Sequence, residues 1–220
     1  MSQPAFSPKE YDQKIQSVLP YCQEFYRQVV DTVKVLDYPS LSWLDLGCGT
    51  GKMGEAAFSA FAPKRFVFWD QSPEMIAIAK SRFADANAEF VTASLLDLHC
   101  REEFNVITAI QANHYLPPEE RRKAIANVYQ ALQPGGVFFT FENFAPNSRT
   151  GQQLALKRWG AYQVAQGRSA QQVKGHLARY GKDYFPISLS AHLQLLQDCG
   201  FPTAELLWLS YLQVGLFGIK

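Results

Sequence analysis

The stretch Leu41-Ser-Trp-Leu-Asp-Leu-Gly-Cys-Gly-Thr-Gly-Lys-Met-Gly54 constrains the fold more than any other. Trp43, Leu44 and Leu46 are bulky and apolar, as a buried strand requires, and Gly47, Gly49 and Gly51 then let the backbone turn sharply and approach a ligand. Helix formers follow, from Lys52 through Ala56 and Ala57 to Phe61. Strand, glycine loop and helix in that order aim free backbone N–H groups and a positive dipole end at whatever sits over the loop. Gly49, Gly51 and Gly54 also satisfy the G-x-G-x-x-G dinucleotide pattern, so an NAD(P)-dependent oxidoreductase is one reading. Asp45 favours a different ligand. A carboxylate at the end of that strand repels a pyrophosphate and attracts an ammonium group.

The rest of the chain alternates in the manner of a doubly wound α/β sheet. Ser7-Pro8-Lys9-Glu10 has the form of a capped helix start, and Phe25, Val29, Val33 and Leu36 predict a second leader helix ending before Pro39-Ser40. Arg65-Phe-Val-Phe-Trp-Asp70 is a second strand, followed by Ser72-Pro73-Glu74 as the next helix start. Asp70 lies 23 positions beyond Gly47, near the ~20-residue offset at which an acid takes both hydroxyls of a ribose. Glu89–Thr92 and Phe104–Ile110 are strands three and four, and Gln111-Ala-Asn-His-Tyr-Leu116 crosses the carboxyl edge of the sheet, where ligands of such folds bind. Pro117-Pro118-Glu119-Glu120 opens a helix to Leu132, Gln133-Pro134-Gly135-Gly136 ends it, and Val137–Glu142 is strand five. Beyond Pro186, a serine at 188 or 190 caps a helix stopped by Gly200, and residues 204–212 and 215–220 pair antiparallel around Gln213-Val214.

Asp45-x-Gly47-x-Gly49-x-Gly51 resembles motif I of the class I S-adenosylmethionine-dependent methyltransferases, and Asp70-Gln-Ser-Pro-Glu-Met75 resembles their motif II. His114-Tyr115-Leu116 matches the ending of motif IV, although Asn105 replaces its usual acid, and the Leu-x-Pro-Gly-Gly approach and terminal hairpin are also similar. The resemblance implies a seven-stranded, mostly parallel sheet with an antiparallel C-terminal edge hairpin, N-terminal leader helices and a helical insert after strand five. It implies S-adenosylmethionine as cofactor, held by Asp45, Gly47, Gly49, Gly51, Asp70, Gln71, Met75, Ser94, Leu95 and Gln111. Ser94 stands where the family often has an aspartate for the adenine amino group, and Asp97 is either its substitute or a cap for the next turn. Leader helices of this family often cross the cofactor cleft, which makes Tyr11, Tyr21 and Tyr26 candidate contacts. His114 is the candidate base, because its ordinary pKa lies near neutrality and motif IV faces the reacting centre, with Tyr115 and Glu142 as the other catalytic candidates.

No motif of the family covers the insert, residues 144–185. Between 144 and 182 it carries seven Lys or Arg and no Asp or Glu, so this segment is at +7 and the remainder at −6 against a net +1. Gly151, Gly160, Gly167, Gly175 and Gly181 punctuate helical pieces, a mixture suited to a hinged lid over an anionic acceptor. Tyr21, Arg158, Trp159, Tyr162 and Arg179 are the candidate substrate contacts; a solvated basic face is the competing reading.

At 220 residues the chain fits one domain, divided into helices 1–40, a core of 41–143 and 186–220, and the insert. A near-neutral balance argues against a general polyanion binder, and the sequence lacks the Asp/Asn-Pro-Pro-aromatic and Pro-Cys strings of nucleic-acid methylating enzymes. Cys22, Cys48, Cys100 and Cys199 have no metal spacing, so no metal is expected. No leader or long apolar run is seen, which predicts a cytoplasmic protein acting on a small molecule, away from membranes, with its oligomeric state open. The leading expectation is methyl transfer to a small anionic metabolite. The alternative is a protein that modifies or senses the sulfonium, as carboxy-S-adenosylmethionine synthases of this fold do.

Overall fold

The computed structural model describes residues 6–220, so the leader reading of Met1–Ala5 lies outside the described residues. Seven strands form one sheet: β1 Ser42–Leu46, β2 Arg65–Asp70, β3 Glu89–Thr92, β4 Phe104–Ile110, β5 Leu132–Asn143, β6 Thr203–Ser210 and β7 Gln213–Ile219. Their order is β3-β2-β1-β4-β5-β7-β6. The first five run parallel, and β7 lies antiparallel between β5 and β6.

A parallel strand covered on both faces needs a run of apolar residues rather than alternation, and β1 supplies it with Trp43, Leu44 and Leu46 all buried. Alternate residues then feed two cores. Trp43, Phe66, Phe68 and Phe139 meet Phe25, Val29 and Val33 of α2 (Cys22–Leu36) and Met53 and Ala57 of α3 (Lys52–Ala60). On the opposite face Leu44, Leu46, Ile107 and Phe138 share a core with Ala124, Ile125 and Val128 of the Pro118–Ala131 helix and with Leu195 and Leu196 of the Leu189–Asp198 helix. In β7 a side chain at Gly215 would stand 2.4 Å from Cε1 of Phe141, so the glycine lets that ring cross the strand.

Some local expectations are corrected. Ser7 precedes α1 (Pro8–Lys14) but bonds the Glu10 carboxylate at 2.8 Å instead of capping the backbone. The helix before β5 stops at Ala131, and Gln133-Pro134-Gly135-Gly136 is absorbed into the strand, where a register shift lies opposite Phe104 and Val106. The closing hairpin turns at Tyr211-Leu212, not at Gln213-Val214. Numbering onward, α4 is Pro73–Arg82, α5 Pro118–Ala131, α6 Arg149–Ala165, α7 Ala170–Leu177 and α8 Leu189–Asp198. Gly151 and Gly160 do not break α6, which runs through both. Gly160 is instead a close-packing point, where an added Cβ would meet Leu177 at 3.2 Å and Val173 at 3.4 Å. Turns fall at Gly167 and Gly181, both at positive φ.

Candidate functional site

Strand order reverses at β1, between β2 and β4, and the crevice at the carboxyl ends of these strands is where a doubly wound sheet binds ligands. Three adjoining cavities occupy it, and Tyr11 and Gln111 line all of them.

The first, about 160 Å³, is lined by Gly47, Gly49, Asp70, Gln71, Met75, Ser94, Leu95, Gln111 and Tyr115 among others. Asp70 binds both walls, accepting hydrogen bonds from the Gly49 N–H at 2.9 Å and the Ser72 N–H at 2.8 Å. Each carboxylate oxygen keeps a lone pair for a ribose hydroxyl. Burial pushes the Asp70 carboxyl up, against these two bonds. Gly49 sits at φ +53, and a Cβ there would meet nothing within 4 Å, leaving that side of the loop open to a ligand. Gly51, also at positive φ, faces inward instead, 2.8 Å from Phe83 by the same construction. The Ser94 hydroxyl accepts from the Leu96 N–H, and Asp97 accepts from the Ser94 N–H. Asp97 is therefore a cap rather than a ligand group.

The second cavity, about 40 Å³, lies between Asp45 and the leader segment, with Tyr11, Ile15, Tyr26 and Thr50 in its wall. Asp45 is 2% exposed. One of its oxygens accepts from the Thr108 hydroxyl at 2.8 Å, while Oδ2 has no partner among the described residues. Burial pushes this carboxyl up to about 7, with Asp70 adding to the shift against the Thr108 bond. Asp12 latches the leader over this cavity by accepting from the Thr50 hydroxyl at 2.5 Å and pairing with Arg82.

The third, a chamber of about 30 Å³, is enclosed by Tyr115, Asn143, Trp159, His176, Arg179 and Tyr184 together with leader residues. Of the basic residues in the insert, Arg149, Lys157, Arg158, Lys174 and Lys182 are exposed, and only Arg179 reaches this wall. Arg179 pairs with Asp183 at 2.7 Å and also hydrogen-bonds Tyr115. Burial pushes His176 down to about 4, reinforced by Arg168 and Arg179, so its ring is neutral at pH 7.

His114 lies behind the chamber, 1% exposed and outside the cavity walls. Its Nδ1 is 2.6 Å from Glu142 and its Nε2 is 3.4 Å from the Asn143 amide nitrogen. Glu142, equally buried, also accepts from the Asn113 and His114 N–H groups and the Thr140 hydroxyl. Burial pushes its carboxyl up, but the bonds from His114 and Thr140 outweigh that, and the net shift is downward. Tyr115, in contrast, lines both the first cavity and the chamber. Tyr21, Arg158 and Tyr162 gather elsewhere, around Tyr211: Tyr21 is 60% exposed, the Arg158 guanidinium stacks 3.8 Å from the Tyr211 ring, and Tyr162 bonds the Gln16 carbonyl. Sequence reasoning missed Asn143, His176 and Tyr184. A signal existed for Asn143, which directly follows Glu142 at the carboxyl end of a central strand.

The seven-stranded sheet with its antiparallel edge, the acid-and-glycine loop after β1 and the acid ending β2 define a Rossmann-like methyltransferase architecture. Residues 44–136 match the family described as a methyltransferase domain, and the fold is similar to that of the class I S-adenosylmethionine-dependent methyltransferases. It is 25% identical over 210 residues to a carboxy-S-adenosyl-L-methionine synthase of Helicobacter hepaticus, covering 91% of this chain and 87% of that one. A synthase of the same name from Trichlorobacter lovleyi is 24% identical, with 96% and 92% covered. Among solved structures, an S-adenosylmethionine-dependent methyltransferase from Mesorhizobium loti superposes with TM-score 0.61 at 18% identity, covering 89% of this chain and 98% of that one. The carbon methyltransferase CurJ gives 0.71 at 15% identity, covering 97% and 61%.

S-adenosylmethionine is the cofactor of this class, and the residues present fit it. The orphaned Asp45 oxygen suits its ammonium group, the open side of Gly49 suits close backbone approach, and Asp70 suits a ribose diol. Among the described residues no cluster of metal ligands occurs, and no helix is long and apolar enough to cross a membrane.

Proposed function

We propose that this chain transfers the methyl group of S-adenosylmethionine to a small anionic metabolite held in the chamber. The carrying observation is that three cavities share Tyr11 and Gln111 as wall residues, from the one at Asp70 to a chamber walled by Arg179. The bound cofactor supplies a sulfonium with an activated methyl carbon, so the chain's own task is alignment and exclusion of water. Asp70, Ser94, Leu95 and Met75 hold the nucleoside end, with Asp45, Gly47 and Gly49 at the amino acid end. Arg179, already held by Asp183 and Tyr115, meets the anionic group. Tyr115 lines both the first cavity and the chamber, and because burial pushes its phenol up it stays protonated and serves to orient the acceptor by a hydrogen bond. His114, tied to Glu142 and out of the cavity walls, serves as a positioning residue for Asn143.

A second reading is favoured by the names of the relatives and by the smallness of the chamber: transfer of a carboxylate group from a small acid to the cofactor's methyl carbon, in which that carbon loses a proton, the donor's carbon–carboxylate bond breaks and the donor carbon takes up a proton. Mass spectrometry of the products separates them. S-adenosylhomocysteine and a methylated acid are expected after incubation with a panel of small carboxylic acids; a carboxylated cofactor overturns methyl transfer in favour of the second reading. Calorimetry with S-adenosylmethionine that shows no binding to folded protein overturns both.

A further inference from the structure

Tyr184 is 2% exposed, and its hydroxyl has no hydrogen-bond partner among the described residues, yet the residue lines the chamber. A buried hydroxyl left without a partner is costly, and one in a cavity wall recovers that cost when a ligand group accepts from it. The ring is firmly held. The Tyr184 carbonyl accepts from the Gly181 N–H at 3.0 Å, the Phe185 N–H donates to the His114 carbonyl at 2.7 Å, and the ring meets the edges of His114 and Tyr115 at 5.5 and 6.3 Å. Arg121 pins the same segment by donating to the Phe185 carbonyl at 2.5 Å. Loose placement therefore does not explain the orphaned hydroxyl.

The polarity of the surrounding wall identifies the ligand class. Arg179 can only donate. Gln213 donates to the Asn143 carboxamide oxygen at 3.0 Å, which assigns the Asn143 nitrogen, beside His114, as the atom left for donation. Arg179, Asn143 and Tyr184, which carry a guanidinium, an amide N–H and a hydroxyl, line a chamber of about 30 Å³, and these donors match one compact acceptor group, the size and polarity of a carboxylate. Resting on the proposed reading of the chamber as the second substrate's site, we propose that Tyr184 is a specificity-determining residue whose hydroxyl donates to the carboxylate of that substrate, with Asn143 and Arg179 as its companions.

The test uses the full chain saturated with S-adenosylmethionine and titrated calorimetrically with sodium pyruvate and sodium acetate, comparing wild type, Tyr184→Phe and Arg179→Met. Tyr184→Phe removes only the hydroxyl. The expected result is carboxylate binding by wild type, at least tenfold weaker binding by both variants, and unchanged S-adenosylmethionine affinity. Because no internal bond is lost, the melting temperature of cofactor-free Tyr184→Phe should equal or exceed that of wild type. Undiminished pyruvate and acetate affinity in Tyr184→Phe, or a lower melting temperature revealing a structural partner, overturns the inference. If Arg179→Met weakens binding while Tyr184→Phe does not, only this inference fails; if wild type binds neither acid, or neither variant weakens binding, the chamber reading fails with it.

Discussion

At the scale of single residues, Asp45 links the loop to a measurable pH dependence. Its folded pKa of about 7 lies above the ordinary 3.8, so the group's contribution to folding is fully present below about pH 4 and is lost as the pH rises through 7. Cofactor binding has the opposite sign, since an ammonium group favours the ionised carboxylate. The Kd for S-adenosylmethionine should therefore fall about tenfold between pH 6 and pH 8 through this group. Asp45→Asn should bind more weakly at pH 8 and lose most of the dependence, which calorimetry at several pH values checks. Asp45 shows how far a sequence reaches: its spacing from Gly47 pointed to an ammonium ligand, but the unpartnered oxygen that makes this chemically compelling exists only once Thr108 of β4 has taken the other.

Among the elements, the leader segment decides access. α1 carries Tyr11 into the walls of all three cavities, and Asp12 fastens it to the glycine loop through Thr50 and to α3 and α4 through Lys52 and Arg82. With only about 40 Å³ between Asp45 and this strap, entry of an amino acid group requires the strap to give way. Asp12→Ala should speed cofactor association and dissociation severalfold in stopped-flow fluorescence. Cleavage of residues 6–20 by a dilute protease should also quicken, and added S-adenosylmethionine should suppress it; rates and cleavage equal to wild type would show that Asp12 is no latch. Helical periodicity placed these elements correctly. It could not show that Asp12 meets Arg82, a partner 70 positions along the chain, because helix spacing reports a face and not what covers it. The insert is similar. Its charge count was legible, yet most of that charge is solvated, and of its Lys and Arg residues only Arg179 lines the chamber.

For the whole molecule, binding at a site built from several elements must appear as global stability. Ligand present at one hundred times its Kd adds about 2.7 kcal/mol to the folded state. S-adenosylmethionine should accordingly raise the melting temperature by several degrees, while NAD at the same concentration should not; the reverse order would restore the oxidoreductase reading that the glycines alone permit. The sheet that collects these elements was legible from its punctuation, with strands two, three and four read at their observed limits. The Pro134-Gly135-Gly136 stop and the hairpin turn were misplaced, because turn residues absorbed by a long strand and a bulge look the same in sequence as a loop.

The sequence by itself determined the alternation of strands and helices and the acid-and-glycine cradle, since both rest on local periodicity, backbone freedom and short spacing. Only the tertiary structure decided what faces the reacting group. It moved His114 behind the wall, sent Tyr21, Arg158 and Tyr162 to another surface, and brought Asn143, Arg179 and Tyr184 together across distant positions. That choice depends on which side of each element is covered and which polar atom is left without a partner, quantities that arise only when the chain packs against itself.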